Sequence, residues 1–536
     1  MPFIRNTAIV VAAITVAAVL GGCAATAEAE DRIITVNGVE PQHPLTPADT
    51  VDAGGHRIME QLFAGLAYYD ASGTAVNDLA ETIAPNSDNT VWTIAMRDDT
   101  EFSDGSPVTA ESFVKAWDWA ARASNMALNA EYFADIIGYS AESDSSLIEE
   151  GGLVVVDDDT FEIHLRGPAA DLPQRLGHIA YAPLPEAFYA DPAGFAKAPI
   201  GNGPYLFDGS DAWQRGERLD LVANPDYEGP REPANAGITM RFYDSLDTAY
   251  ADLLSGHLDV LDTLPESAMG GYEDELNRRV VEQATATLES IIIPTTIPHF
   301  KGPEGVFRRA AISRAIDRNA IIGELFGPTR APAADFTSPA LDGWSDTLTG
   351  ARVLRYDEGA AKEYWAQAEK LKPWEDASLE IAYNADGGHA AWVEAVAASI
   401  SRVLGIPVTA VPYPSLGDLQ ALIAPDPAPS AFRYSTRADY PGAVSFIRSF
   451  QSKSTGNFAR YKSTAFDTAL RQSITAKSPA DAAASAEDAQ EILLAELPAI
   501  PLWNTVALAG YGDGVDDVAL DWQGVPLYFQ ISKHAG

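Results

Sequence analysis

Residues 81–117 read ETIAPNSDNTVWTIAMRDDTEFSDGSPVTAESFVKAW, and this stretch decides the class of fold. Trp92, Ile94 and Met96 alternate with Thr93, Ala95 and Arg97, the two-residue period of a half-buried strand. The cluster Phe102-Ser103-Asp104-Gly105-Ser106-Pro107 is turn chemistry. Thr109 then caps a helix with Glu111 in its first turn, and Phe113, Trp117 and Ala120 line one face of it. Strand, turn and helix in immediate succession predict an α/β chain.

The same alternation continues outward. Phe161, Ile163 and Leu165 predict another strand, with His164 on its opposite face. Residues 198–205 (APIGNGPY) are dense in Gly and Pro and mark a crossover between domains. Leu246, Ala249, Tyr250, Leu253 and Leu254 fit a helix that stops before Gly256, and His257-Leu258-Asp259-Val260 reads as a strand. Val393, Val396, Ile400 and Val403 fit a helix stopped by Gly405 and Pro407. Residues 466–497 are Ala-rich and helical in pattern, and strand-like alternation returns from Ile500. No fixed repeat period runs through the chain, which excludes solenoids and propellers. Strands that return late predict domains assembled from discontinuous pieces.

A chain of 536 residues exceeds the length over which one core keeps growing, so two or more domains are expected. Its 46% hydrophobic content, with 20 Tyr, 20 Phe and 10 Trp, suffices for packed cores. The 76 Asp and Glu against 36 Lys and Arg leave a formal charge of -40, which argues against nucleic acid and against broad contact with anionic lipid.

The N-terminus carries Arg5, an apolar run from Thr7 to Leu20, and then Leu20-Gly21-Gly22-Cys23. A basic start, a short apolar stretch and small residues before a cut describe a secretory signal over 1–22. The run falls short of the roughly 20 apolar residues a membrane span needs. The order Leu, small, small, Cys resembles a bacterial lipobox, which implies lipidation of Cys23 and a tether over 23–32; the alternative is an ordinary signal peptide that contains a Cys. Cys23 is the only cysteine, so no disulfide forms within the chain.

Catalytic signatures are missing. The eight His are scattered, none within four residues of another, and no metal-ligand spacing, phosphate loop, dinucleotide fingerprint or nucleophile elbow occurs. With Cys23 committed to lipid, thiol chemistry is excluded. A carboxylate pair for glycan hydrolysis is not excluded by spacing. No catalytic residue, metal or cofactor is assigned, and binding rather than catalysis is the expectation.

Several blocks then carry a resemblance. Residues 81–117, PIGNGPYLF (199–207) with NPDYEG (224–229), SGHLDVLDTLP (255–265), FRRAAISRAIDRNAII (307–322), ADYPGAVSFIRSFQSKSTGNFARYKSTAFD (438–467) and LPAIPLWN (497–504) follow in one order. The series resembles the solute-binding proteins of the peptide/nickel class of ABC importers, and among them the oligopeptide- and dipeptide-binding proteins. The resemblance implies an α/β, two-lobed periplasmic-binding-protein-like fold with a two-strand hinge and an additional domain. By position, 33–66, 197–287 and 498–536 form the first lobe, 67–196 the extra domain and 288–497 the second lobe. It implies a monomeric receptor at the outer face of the cytoplasmic membrane. The receptor would pass short peptides to a permease served by a separate ATPase. A same-fold receptor for a nickel chelate, haem or sugar, and a secreted hydrolase, are the alternatives.

The resemblance also places residues. Asp439 matches the acid that pairs with a peptide's α-ammonium, and the strand before it, with Thr436 and Arg437, offers backbone groups to an extended peptide. Thr436 and Arg437 depart from the aromatic and the small residue common in relatives. Arg433 and His389 match groups near the ligand carboxylate, the first with an interlobe ion pair as its alternative and the second with a surface position at a helix start. Asn457 and Tyr132 are assigned to the cleft wall, and Asp52 to a cleft-facing loop. Trp117, Arg97, Asp104 and Asp317 read as structural.

Overall fold

The computed structural model describes residues 32–375, 378–425 and 429–534. The leader, Cys23 and the tether up to residue 31 lie outside the described residues. Among the described residues no helix is long and apolar enough to cross a membrane.

A large mixed sheet organises the chain. Its main path uses β1 (Ile33–Gly38), β2 (Tyr205–Phe207), β3 (Arg218–Ala223), β4 (Gly237–Phe242), β5 (Val260–Leu261), β6 (Val280–Ile292), β7 (Leu379–Asn384), β8 (Val408–Tyr413), β9 (Ala431–Arg437) and β10 (Ala499–Tyr511). The spatial order is β8-β7-β9-β6-β10-β5-β1-β4-β3-β2. Strands from the start, middle and end of the chain alternate in this order, so the lobes are assembled from discontinuous pieces, as expected.

The two longest strands join the lobes. β6 and β10 hold 13 residues each and run antiparallel, a span of about 40 Å. Their pairing has two blocks, Val280–Ala284 against Val506–Gly510 and Leu288–Ile292 against Ala499–Asn504, with a register shift between Ala284 and Leu288. At that break other groups take over the backbone bonds. Ala286 N–H donates to Trp522 O (2.8 Å), Ser338 Oγ donates to Thr285 O (2.6 Å), and Ala438 N–H donates to Ala286 O (3.1 Å). These bonds give partners to backbone groups that the interrupted ladder leaves without a strand neighbour.

The stretch that opened the reading forms a separate four-stranded sheet in the order Ala80–Pro85, Val91–Met96, Thr160–His164, Leu153–Val155. Helix α1 (Ala53–Leu62) precedes it, and helix α2 (Ala110–Ala121) covers it. Thr109 N–H donates to Ser112 Oγ (3.1 Å) at the predicted start of α2. Trp117 is fully buried among Phe113, Phe133, Phe161 and Tyr181, and its Nε1 donates to Tyr181 O (3.0 Å), the structural role expected of it. Asp317 likewise accepts from Ala320 N–H (3.1 Å) at a helix start.

Helix α3 (Ala390–Leu404) ends at Gly405 as expected, where φ is +70°, a left-handed conformation that glycine adopts without strain. Two local expectations are corrected. The Ala-rich region divides into α4 (Thr464–Ile474) and α5 (Pro479–Glu496), because Pro479 can open a helix but cannot continue one. The strand expected over 257–260 shrinks to Val260–Leu261. The N–H groups of His257 and Leu258 turn back to Asp252 O (2.9 and 3.2 Å) and close the preceding helix instead.

The segment around the small sheet also bonds to residues far along the chain. Ala170 N–H donates to Ile474 O (2.8 Å), Asn89 Nδ2 donates to Ala476 O (2.6 Å), and Tyr440 Oη donates to Asp171 Oδ2 (2.6 Å).

Candidate ligand-binding site

At the end of β9, beside the pairing break in β6, lies a cavity of about 250 Å³. Five separate parts of the chain line it: α1 with a residue just before it, Tyr132, His178, Arg437 to Asp439, and Gln523 with Val525. The residues from α1 are Ala53, His56, Arg57 and Glu60, a spacing that puts them on one helical face.

Ser435, Arg437 and Asp439 are exposed while Ala438 is buried, the alternation that an extended segment imposes. The Asp439 backbone N–H donates to Ser445 Oγ (2.9 Å). Among the described residues its carboxylate makes no hydrogen bond or ion pair. Partial desolvation pushes that carboxyl above the usual range, and the Arg448 charge opposes the shift. An exposed carboxylate on a cavity wall without a counter-ion, its charge already disfavoured by partial desolvation, is a ready partner for a cation.

Behind it the wall is aromatic. The Tyr132 ring stacks on His178 with centroids 4.0 Å apart, and His178 meets His56 edge-on at 5.3 Å. His178 Nδ1 accepts the Ala180 N–H (3.1 Å), so its proton sits on Nε2. Burial, and then His56, push the His178 pKa far down. Burial also lowers His56, with the Asp52 charge raising it and Arg437 lowering it. Both imidazoles are therefore neutral at neutral pH.

Glu60 lines both this cavity and a smaller one of about 60 Å³. Burial and the neighbouring Asp521 push its carboxyl up to about 8, against the opposing charges of Arg231 and Arg57. Arg57 is itself ion-paired with Asp262. A raised carboxyl stabilises the fold most below its unfolded value, and that contribution is lost as pH rises through the folded value. Wild-type protein should therefore lose melting temperature relative to Glu60→Gln as pH rises from 4.5 to about 8. Parallel melting curves across that window would remove this assignment of the proton.

Residues 74–458 match the profile described as bacterial extracellular solute-binding proteins, family 5 middle, a match over most of the chain. The chain belongs to this family. Two curated relatives span it nearly end to end. The periplasmic murein peptide-binding protein MppA of Escherichia coli is 24% identical over 86% of this chain and 85% of its own length. The periplasmic oligopeptide-binding protein OppA of Haemophilus influenzae is 26% identical over 89% and 88%. Among solved structures, the unliganded open form of MppA superimposes with a TM-score of 0.80 at 21% identity, covering 94% of this chain and 97% of that one. The complex of Haemophilus influenzae OppA with RPPGFSPFR gives 0.69 at 22% identity, covering 94% and 99%. The two-lobed architecture is thereby shared.

Within this family 5 frame the remaining sequence-assigned residues separate. Tyr132, Arg437 and Asp439 meet in the cavity. Asp52 is the α1 cap and does not line the cavity, accepting from Gly55 N–H (2.9 Å) and pairing with His43 Nδ1 (3.0 Å). Partial burial raises its carboxyl, but these hydrogen bonds outweigh that and hold it below the usual range. Thr436 is half-buried in β9 opposite Leu288 of β6. Arg433 points elsewhere: its Nε and Nη2 donate to Asn384 Oδ1 (2.9 and 2.7 Å), and Nη1 to Glu289 Oε1 (3.4 Å). His389 belongs to the same group, accepting from Trp392 Nε1 at Nδ1 (3.2 Å). Burial and then the Arg433 charge lower its pKa to about 4. Asn457 is buried and uses its amide on Gln451 O (3.2 Å), Tyr461 O (2.7 Å) and Tyr461 N–H (3.0 Å), tying its own loop together.

The wall residues that local sequence does not announce are His56, Glu60 and His178. The 53, 56, 57, 60 spacing on α1 is a legible polar face, but nothing adjacent says what it meets. Among the described residues no cluster of three or more His, Cys, Asp or Glu is placed to hold a metal ion.

Proposed function

We propose that this chain is the extracytoplasmic, lipid-anchored receptor of an ABC importer that captures short peptides between its lobes and delivers them to a permease. The observation that carries this reading is the Asp439 carboxylate on the cavity wall beside the β6–β10 break, without an ion-pair partner among the described residues. The lobes are read as 33–66 with 197–287 and 498–536, and 288–497, with 67–196 as the extra domain; the protein acts as a monomer without enzymatic turnover. The printed names of the relatives, murein peptide-binding and oligopeptide-binding, support a peptide as the cargo.

The sheet supports the mode of capture. β9 pairs with β7 only at Ala431 and Phe432, whereas Phe432 to Arg437 all pair with β6. Among the described residues the β7-side edge of Tyr434–Arg437 has no strand beside it. An extended peptide laid on that edge gains main-chain hydrogen bonds that are indifferent to its side chains. Its ammonium would meet Asp439. Arg433 lies six residues back, at most about 20 Å away along the extended chain. Arg433 and His389 would take the far carboxylate only by sharing with Glu289, whose carboxyl burial raises to about 7 while Arg433 lowers it. The higher TM-score to an unliganded open relative than to a peptide complex fits lobes that stand apart before capture.

Native mass spectrometry of the purified protein tests this. Adducts whose masses resolve into short peptides are expected. A non-peptide solute in their place, or no heat in calorimetry with a mixed peptide pool, would overturn the reading.

A further inference from the structure

We propose that Arg437 makes this cleft selective for ligands that carry a carboxylate a few bonds from the ammonium held by Asp439. The proposal rests on the peptide-receptor reading and adds a preference at the ligand's first position. Two sources supply that chemistry. One is an α-peptide beginning with Asp or Glu; the other is a γ-glutamyl end, where ammonium and carboxylate share one carbon.

The charge pattern of the cavity wall points to this. Arg57 is occupied by Asp262, both imidazoles are neutral, and Glu60 keeps its proton near neutral pH. That leaves one cation and one anion on the wall, Arg437 and Asp439. Both are exposed, and among the described residues neither side chain makes a hydrogen bond or an ion pair, with the other or with a third group. Arg437 closes β9 and Asp439 follows two residues later, with the buried Ala438 between them, and both line the same cavity. Two opposite charges that share a cavity wall without pairing with each other can take a zwitterionic ligand end between them.

The cavity is small, so a group bound to Asp439 comes within reach of the Arg437 side chain. A guanidinium takes a carboxylate through two parallel hydrogen bonds. Lobe closure would also strip water from Arg437. With a neutral first residue that charge is left without a partner, a penalty; with an acidic one it is paired, a gain. Both terms favour the acidic ligand.

The test is calorimetry of the full chain, wild type and Arg437→Met, with four peptides. These are pentaalanine and its variants beginning with Glu, Gln or a γ-linked Glu. For the wild type, the Glu or the γ-Glu peptide should bind about tenfold tighter than the Gln peptide, the size of one good charged contact. Which of the two leads identifies the source. The advantage should shrink with added salt and vanish in Arg437→Met, whose unbranched stem preserves much of the packing. Equal binding of Glu, γ-Glu and Gln peptides by a wild type that still binds pentaalanine would overturn the role of Arg437 and leave the peptide reading standing. So would an advantage that survives in Arg437→Met. Failure of all four peptides would remove both.

Discussion

Replacing Asp439 with alanine is expected to weaken peptide binding about thirtyfold or more. Removing one member of a desolvated charge pair costs about 2–5 kcal/mol, because the ligand's ammonium then enters the closed cleft without a counter-charge. The unliganded protein should tolerate the change, since the Asp439 carboxylate makes no hydrogen bond or ion pair among the described residues. The acid limb of binding should move as well. Burial raises this carboxyl, with Arg448 opposing, so its charge is lost at a higher pH than for an ordinary aspartate. Affinity should fall with falling pH from that point, while the ligand's ammonium stays protonated throughout. Asp439→Asn should flatten that limb. Unchanged calorimetric affinity in Asp439→Ala would remove the ammonium assignment.

Asp171→Ala is expected to be the more damaging change to stability. Asp171 is 8% exposed and Arg175 7%. Arg175 donates to Asp171 through Nε (3.1 Å) and Nη2 (2.8 Å) and to Asp135 through Nη1 (2.5 Å), while Tyr440 Oη donates to Asp171 (2.6 Å). Truncation strands a buried guanidinium with one half-exposed partner and leaves the Tyr440 hydroxyl unmatched. About 3–5 kcal/mol should be lost in chemical denaturation. Tyr440→Phe removes only the hydroxyl and should cost about 1 kcal/mol. Tyr440 follows Asp439 directly, so peptide affinity should fall in Asp171→Ala as well. A denaturation midpoint within error of wild type would show that this network does not hold the domain against the second lobe.

Much of this was readable residue by residue. The 92–96 alternation, the Thr109 helix start and Gly405 as a stop depend on neighbours within one turn or one strand, and each is found where expected. Asp439 could be singled out because the blocks around it keep the family's order. The role of Arg433 could not. Its partner Glu289 lies 144 residues away and reaches it only through the antiparallel register of β6 and β9. His56 and His178 carry no mutual spacing in the chain, yet their rings meet at 5.3 Å. Pro479 and the 257–260 segment show the opposite limit, where a pattern legible as one element was divided or redirected by backbone hydrogen bonding.

Sequence alone determined the α/β class, the discontinuous assembly and the family, and it singled out Asp439 as a candidate. Those follow from periodicities and blocks that act over short stretches of chain. Tertiary structure alone decided which charges are occupied and which are left open at the cleft. Arg57 and Arg433 are matched by carboxylates brought in from distant segments, while among the described residues Arg437 and Asp439 are not matched. The reason is physical: whether a buried or half-buried charge is available to a ligand depends on what long-range pairing places beside it, and no local pattern encodes that neighbour.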